Sequence, residues 1–212
     1  MGREFNNHDV KNVSIAGTQS IAPNDEDRII YLTGEICESS IAQAAATIFS
    51  LAAKDNESPI WLFIDTYGGS IDSMFSLYDT IKFVSCPIHT VGLGKIMSAG
   101  VLLLASGDKR YIGASARVMI HSIRTGMHGD IFEHRNQLNE LNRLQEFFEE
   151  KLTNEIGESA KKINEIMNRK VDTFLSAKEA IELGIADCFL ENQKSNKNNK
   201  KNKKSKTKKK NK

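Results

Sequence analysis

The chain of 212 residues contains 40% hydrophobic and 26% charged residues and carries a net charge of +2, proportions that are typical of a globular domain and exclude a fibrous or wholly disordered protein. Its longest apolar stretch, Ala99 to Ala105, is far below the ~18 residues of a membrane-spanning helix, so we expect no membrane association. Three widely separated cysteines form neither a zinc motif nor a disulfide framework, which favours reduced thiols and a cytoplasmic location.

The charge is unevenly distributed along the chain. Residues 194–212 contain eleven lysines and no acidic residue, so residues 1–193 carry a net charge of −9. A run rich in lysine and asparagine cannot bury apolar surface and is expected to be disordered. We therefore predict a partly flexible N-terminal segment, 1–27, one folded domain, 28–193, and a tail, 194–212, that aids solubility or binds nucleic acid only weakly.

The first two thirds of the domain alternate β-rich segments with helical patterns. Apolar residues at spacings of three and four predict helices that begin at Ser39 or Ser40, at Ser70 and at Ser98. This alternation favours an α/β fold with a largely parallel sheet. The predicted strands are Arg28–Thr33, Pro59–Asp65, Ile88–Gly92, Arg110–Ile112 and Arg117–His121.

The last third is helical. Apolar residues that recur every three or four positions predict one long amphipathic helix, Ile131–Ile156, which Asp130 caps and Gly157 ends. A second helix is predicted at about Ser159–Asn168, and the capping box Ser176–Glu179 opens a third.

Two glycine-bearing turns lie between a strand and a helix, where a phosphate group could bind. Gly94-Lys95 is not followed by Ser or Thr, and Gly92-Leu93-Gly94 lacks the third glycine of a dinucleotide fingerprint, so we predict no nucleotide site. Gly68-Gly69 differs because it lies between a buried strand and a helix, where bare N–H groups can point at a carbonyl oxygen. From the residues alone it is either an oxyanion hole or a tight turn.

Ser98 precedes an almost wholly apolar helix and is open to two interpretations. It is either an N-cap or a nucleophile whose developing oxyanion the helix N-terminus stabilises. A nucleophile needs a base and a carboxylate that orients the base, and Asp172 is one of many possible carboxylates. Spacing does not choose among the candidate bases, which are His8, His89, His121, His128 and His134.

Four blocks between about Asp27 and Phe189 together resemble the proteolytic subunit of the Clp (caseinolytic) protease, in a divergent form that would suit a phage-encoded or accessory member. Each block is weakly specific alone, but their order and separation are highly specific. The blocks are Tyr67-Gly68-Gly69-Ser70 with Tyr78-Asp79-Thr80-Ile81 downstream, Met97 to Leu104, Arg117 to His121, and Asp172 to Ala177 followed by Glu179-Ala180 and Gly184.

The resemblance implies a serine endopeptidase that acts through an acyl-enzyme. It implies that Ser98 is the nucleophile, His121 the general base and Asp172 the residue that orients it. The backbone N–H groups of Gly69 and Ala99 would form the oxyanion hole, and no metal or organic cofactor would be needed.

The resemblance also implies a spiral α/β fold shared with crotonases, with Ile131–Ile156 as a projecting handle helix. Members of the family form two stacked heptameric rings, a tetradecamer, around polypeptide substrates that a separate ATP-driven (AAA+) unfoldase supplies. The absence of a nucleotide motif from this sequence is consistent with that division of labour.

The domain sequence departs from the family pattern at four places. Thr66-Tyr67 stands where the family has Ser-Pro, and Ile96 to Gly100 (Ile-Met-Ser-Ala-Gly) stands where it has Ala-Ala-Ser-Met-Gly, which together predict a reshaped substrate channel. Ser122-Ile123 stands where the family has Gln-Pro, close to the proposed base. Lys170 and Val171 replace an acidic residue and an arginine at the contact between rings. We therefore expect a double ring that dissociates toward single heptamers on dilution.

Three alternatives remain from the sequence. A crotonase-type acyl-CoA enzyme would share the fold but would not need Ser98, His121 and Asp172 together. A non-catalytic ring subunit would be expected to have lost one of these residues, and none is lost. A nucleic-acid-binding module would depend on the lysine-rich tail.

Overall fold

The computed structural model describes residues 28–126, 128–157, 160–169 and 171–190. The predicted N-terminal segment 1–27, the tail 194–212, the candidate base His8 and Lys170 lie outside the described residues.

Strands and helices alternate along the described chain. The strands are β1 (Ile29–Ile36), β2 (Ile60–Gly69), β3 (Ile88–Met97), β4 (Lys109–Ile112), β5 (Arg117–Ile120), β6 (Thr173–Ser176) and β7 (Cys188–Phe189). The helices are α1 (Glu38–Lys54), α2 (Ile71–Phe83), α3 (Ala99–Ala105), α4 (Ile131–Ile156), α5 (Ala160–Asn168) and α6 (Ala177–Glu182).

The strands form one largely parallel sheet, which confirms the α/β prediction. Its main path is β1-β2-β3-β4-β7, and every pair on this path is parallel. The first part of β3 pairs with β4, and its last three residues, Lys95–Met97, pair with β5 instead. β6 then adds to β5 in the antiparallel direction. The sheet thus divides at β3. The strands β5 and β6 form a branch, in which β5 pairs with the end of β3 that leads into Ser98.

Strand β2 is buried on both faces, which explains its unbroken apolar sequence. Ile60, Leu62 and Ile64 lie in the main core, and the alternate residues Trp61 and Phe63 lie in a smaller cluster on the opposite face. All seven residues of α3 are buried, as its apolar composition predicted.

Two predicted boundaries were wrong. Residues Thr66 to Gly69 do not break β2, because Gly68 and Gly69 continue to pair with β1 after a shift in register. Helix α1 is capped by Cys37 rather than by Ser39 or Ser40, because β1 extends to Ile36 and the helix therefore begins at Glu38. The Ser40 hydroxyl instead accepts a hydrogen bond of 3.0 Å from the Cys37 N–H.

The long helix α4 has the bounds that the sequence predicted. The Asp130 carboxylate accepts hydrogen bonds from Phe132 N–H and Glu133 N–H, and the Glu133 carboxylate accepts one from Asp130 N–H. The helix buries residues only in its second half, at Phe148, Leu152 and Ile156. Its first half therefore extends beyond the core, as expected of a handle. None of the helices in the described ranges is both long and apolar enough to cross a bilayer.

Candidate active site

Ser98 lies at the junction of β3 and α3 in a conformation that is rare for a side-chain-bearing residue. Its φ is 55° and its ψ is −123°, and its hydroxyl makes no capping hydrogen bond to α3. Its backbone N–H donates to the Met119 carbonyl of β5 at 2.9 Å, which holds the residue against the neighbouring strand. Strained backbone of this kind is concentrated at functional sites. The geometry therefore disfavours the plain N-cap interpretation.

Gly68 and Gly69 let the backbone of β2 approach Ser98 and β1 closely. A Cβ on Gly68 would lie 2.7 Å from Ser98 Cβ, and a Cβ on Gly69 would lie 2.1 Å from the Ile36 carbonyl oxygen. Both residues also have positive φ, at 100° and 152°. No other residue type fits at either position without displacement of the backbone.

The N–H groups of Gly68 and Ala99 differ in their bonding. Gly68 N–H donates to Thr66 Oγ1 at 2.9 Å. Ala99 is the first residue of α3, so its N–H has no acceptor within the helix. Gly69 and Ala99 both line the same cavity as Ser98. These are the two residues that the sequence resemblance assigned to an oxyanion hole.

The β3–β5–β6 branch brings His121 and Asp172 toward Ser98. Met97 pairs with Met119, so Ser98 and His121 follow neighbouring parallel strands at the same edge of the sheet. The antiparallel ladder between β5 and β6 ends with Ile120 opposite Thr173, so His121 and Asp172 are the next residues on the two strands beyond the last pair. His121 lines the cavity that contains Ser98, whereas Asp172 is not among its lining residues.

The other described histidines lie elsewhere. His89 is buried on β3, with its ring 4.8 Å from the Trp61 ring, and burial lowers its pKa. His128 and His134 are not among the described residues that line the Ser98 cavity, whereas His121 is. Among the described histidines, His121 alone lines the cavity that contains Ser98.

The cavity has a volume of ≈ 470 Å³ and a lining that is partly polar and partly apolar. The polar part includes Ser98 and His121, and Ala99, the first residue of α3, also lines the cavity. Helices α2 and α4 contribute apolar side chains, which are Ile71, Met74, Leu141, Leu144 and Phe148.

The orienting hydrogen bond between His121 and Asp172 is not made in this structure. His121 Nδ1 is buried and has no hydrogen-bond partner among the described residues. Asp172 Oδ1 instead accepts a hydrogen bond from Arg124 Nη2. Arg124 also lines the cavity, although no motif in the sequence predicted this. The sequence offered one indication, an arginine three residues after His121.

The loop after His121 is attached to the handle helix. Ile123 N–H donates to Gln145 Oε1 at 2.8 Å, and Gln145 Nε2 donates to Glu149 Oε1 at 2.7 Å. A proline at position 123 has no N–H and could not make the first bond. The departure Ser122-Ile123 therefore gives this chain a loop anchor that the family's Gln-Pro sequence cannot provide.

The described residues contain no group of three or more His, Cys, Asp or Glu side chains arranged to hold a metal ion. The fold is α/β, and one cavity in it is lined by Ser98, His121, Gly69 and Ala99.

Comparisons with known proteins give the family. The model of the Clp protease family matches residues 17–193. The chain is 37% identical over 173 residues to ATP-dependent Clp protease proteolytic subunit 1 of Bifidobacterium longum, a match that covers 80% of this chain and 73% of the relative.

Two relatives from Leifsonia xyli subsp. xyli are each 34% identical to the chain. ATP-dependent Clp protease proteolytic subunit 1 matches over 169 residues, with 79% of this chain and 85% of the relative covered. Subunit 2 matches over 174 residues, with 80% and 77% covered. The chain therefore belongs to the Clp protease family.

Proposed function

We propose that this protein is the proteolytic subunit of an ATP-dependent Clp protease and that it hydrolyses peptide bonds as a serine endopeptidase. The observation that carries this proposal is that Ser98, His121, Gly69 and Ala99 line one cavity, while His121 and Asp172 directly adjoin the last pair of the β5–β6 ladder, Ile120 with Thr173. The relatives named above are proteolytic subunits of the same protease, and nothing in the site favours acyl-CoA chemistry.

The proposed reaction begins with attack by Ser98 Oγ on the peptide carbonyl carbon. His121 accepts the hydroxyl proton, and the N–H groups of Ala99 and Gly69 stabilise the negative oxygen of the tetrahedral intermediate. His121 then protonates the leaving amine, which leaves an ester on Ser98. Water, deprotonated by His121, hydrolyses the ester and regenerates the enzyme.

Asp172 has a supporting role in this mechanism. When its carboxylate accepts a hydrogen bond from His121 Nδ1–H, the ring is held in the tautomer that presents Nε2 to Ser98, and the imidazolium formed during attack is stabilised. The conformation in which that bond forms is the active one.

The apolar side chains that α2 and α4 contribute to the cavity are proposed to hold the substrate side chain next to the cleaved bond. Met74 and Phe148 are buried there, and Leu144 is half-buried. Transfer of an apolar side chain into such a site is favourable by ~25 cal/mol per Å² of apolar surface removed from water. We expect short peptides with Leu, Met or Phe at this position to be the best substrates.

Assembly is part of the proposal. Ile131 and Phe132 at the start of the handle helix are 69% and 68% exposed, and Leu138 is 50% exposed. Apolar side chains clustered on a projecting helix are typical of a surface that another subunit covers. We propose heptameric rings that pair through α4 into a tetradecamer, with polypeptide substrates supplied by a separate AAA+ unfoldase.

The direct test is covalent labelling with a fluorophosphonate, followed by identification of the modified peptide. We expect one adduct, on Ser98, together with ATP-independent hydrolysis of short peptides. Ser98→Ala should abolish both, and the control Ser76→Ala, at an exposed serine on α2, should change neither. Full peptidase activity in Ser98→Ala protein would refute the assignment.

A further inference from the structure

The ion pair between Arg124 and Asp172 occupies the carboxylate that the proposed mechanism needs. Asp172 Oδ1 accepts from Arg124 Nη2, while the neighbouring His121 Nδ1 is buried and has no partner in the described part of the chain. A buried ring nitrogen without a hydrogen bond is unfavourable, because it has lost water and gained nothing in exchange. In the tautomer that carries a proton on Nδ1, His121 therefore lacks an acceptor, while the Asp172 carboxylate is bonded to Arg124.

The position of Arg124 allows this competition. It follows His121 by three residues, on the loop that the Ile123–Gln145 hydrogen bond attaches to α4. The Arg124 side chain is 62% exposed and the Asp172 side chain 34% exposed, so solvent and salt can reach the pair. An ion pair this accessible is weak enough to exchange with a histidine–carboxylate hydrogen bond.

We propose that Arg124 is a positioning residue that competes with His121 for the Asp172 carboxylate and thereby sets the fraction of subunits with an oriented base. In the Arg124-bound state the His121 ring lacks its orienting acceptor. In the active state Arg124 releases Asp172, and the carboxylate accepts a hydrogen bond from His121 Nδ1–H. The inference rests on the proposed peptidase function.

The experiment compares Arg124→Gln with Arg143→Gln in the full-length assembled protein. Arg143 is a matched control because it also forms an exposed ion pair, with Glu140, but lies outside the cavity lining. The readouts are the rate of fluorophosphonate labelling at Ser98 and the kcat and KM for a short apolar peptide. We expect Arg124→Gln to raise the labelling rate and kcat about two- to fivefold, with KM unchanged, and Arg143→Gln to change none of them.

The same substitution made in Asp172→Asn protein separates competition for the Asp172 carboxylate from a general effect of Arg124→Gln on the fold. In Asp172→Asn protein the carboxylate is absent, so Arg124→Gln should no longer raise the labelling rate. Arg124→Lys keeps a cation and should behave like the wild type. Increased salt should raise the labelling rate of the wild type but not that of Arg124→Gln. If Arg124→Gln fails to fold, Arg124→Met and the salt dependence of the wild type give the same comparison.

The outcomes distinguish this inference from the proposed function. If the wild type is labelled at Ser98 but Arg124→Gln has the same labelling rate as Arg143→Gln, the competition does not exist and the peptidase assignment stands. An equal effect of Arg124→Gln with and without the Asp172 carboxylate would also overturn the inference. If the wild type neither reacts at Ser98 nor cleaves peptides, the proposed function itself fails.

Discussion

The N–H of Ser98 donates a 2.9 Å hydrogen bond to the carbonyl of Met119, two residues before His121. This bond continues the pairing of β3 with β5 beyond the end of β3. It joins the residue proposed as the nucleophile to the strand that carries the proposed base. The relative position of the two residues therefore depends on the sheet and not on a flexible loop.

The first prediction concerns Gly68. In Gly68→Ala the new methyl group would lie 2.7 Å from Ser98 Cβ at a φ of 100°. Displacement of the β2 end or of Ser98 is expected to lower kcat at least about tenfold and to destabilise the fold by about 1–3 kcal/mol. The control is Gly126→Ala, where a Cβ meets nothing within 4 Å. Chemical denaturation and peptide hydrolysis measure the two effects, and wild-type kcat in Gly68→Ala would contradict the close approach.

The second prediction concerns the combined action of the proposed catalytic residues. Ser98→Ala and His121→Ala are each expected to lower kcat about 10³-fold or more, and the double variant should be no worse than either single variant, because the residues act as one unit. Peptide hydrolysis under saturating substrate measures this. Losses that multiply in the double variant would show that the two residues act independently.

The third prediction concerns the loop anchor. Gln145→Ala removes the acceptor of the 2.8 Å hydrogen bond from Ile123 N–H. A lost hydrogen bond of this kind costs about 0.5–1.5 kcal/mol in the free energy of unfolding. KM for short peptides should rise as well, because Ile123 lines the cavity. Asn136→Ala, at an exposed position on the same helix, is the control, and equal stabilities of the two variants would argue against the anchor.

The fourth prediction concerns the pH dependence of thiol alkylation. Hydrogen bonds from Ser39 and Ser40 lower the pKa of Cys37 to about 7, because they stabilise the thiolate. The thiolate is the reacting form, so the rate of alkylation by iodoacetamide at Cys37 should rise as pH increases through about 7. Ser39→Ala, which removes the largest cause of the shift, should move this rise to higher pH.

Cys86 supplies the internal control for that experiment. It is buried, and burial raises its pKa, so it should react only when the protein unfolds. Mass spectrometry of the alkylated peptides distinguishes the two thiols. A Cys37 rise that begins only above about pH 8 would contradict the stabilised thiolate.

The fifth prediction concerns assembly. Replacement of the exposed residues Ile131 and Phe132 with Ser should leave the subunit fold intact but shift a tetradecamer toward single heptamers. Sedimentation at decreasing protein concentration, run in parallel with the peptidase assay, measures where the double ring dissociates. The wild-type double ring should persist to a lower protein concentration than that of the variant. A variant double ring as stable as the wild type would place the contact between rings elsewhere, and a monomeric wild type with full activity would refute the ring.

Local sequence signals alone determined most of the helix limits. The cap at Asp130, the apolar spacing of α4 and the terminating Gly157 predicted the observed bounds of the handle helix, because these signals act within one or two turns. The apolar run of β2 likewise indicated a strand covered on both faces. Local signals predicted wrongly that β2 ends before Gly68-Gly69, because glycines favour turns. Pairing with β1 instead keeps both glycines in the strand.

Only the tertiary structure decided which polar groups meet. His121 lies at the same edge of the sheet as Ser98 because β5 pairs with the end of β3, a contact between residues about twenty positions apart. The Arg124–Asp172 pair joins residues 48 positions apart and had no signal in the sequence beyond a single cation. Strand pairing and ion pairing depend on distance in space, and the sequence specifies that distance only through the whole packed fold.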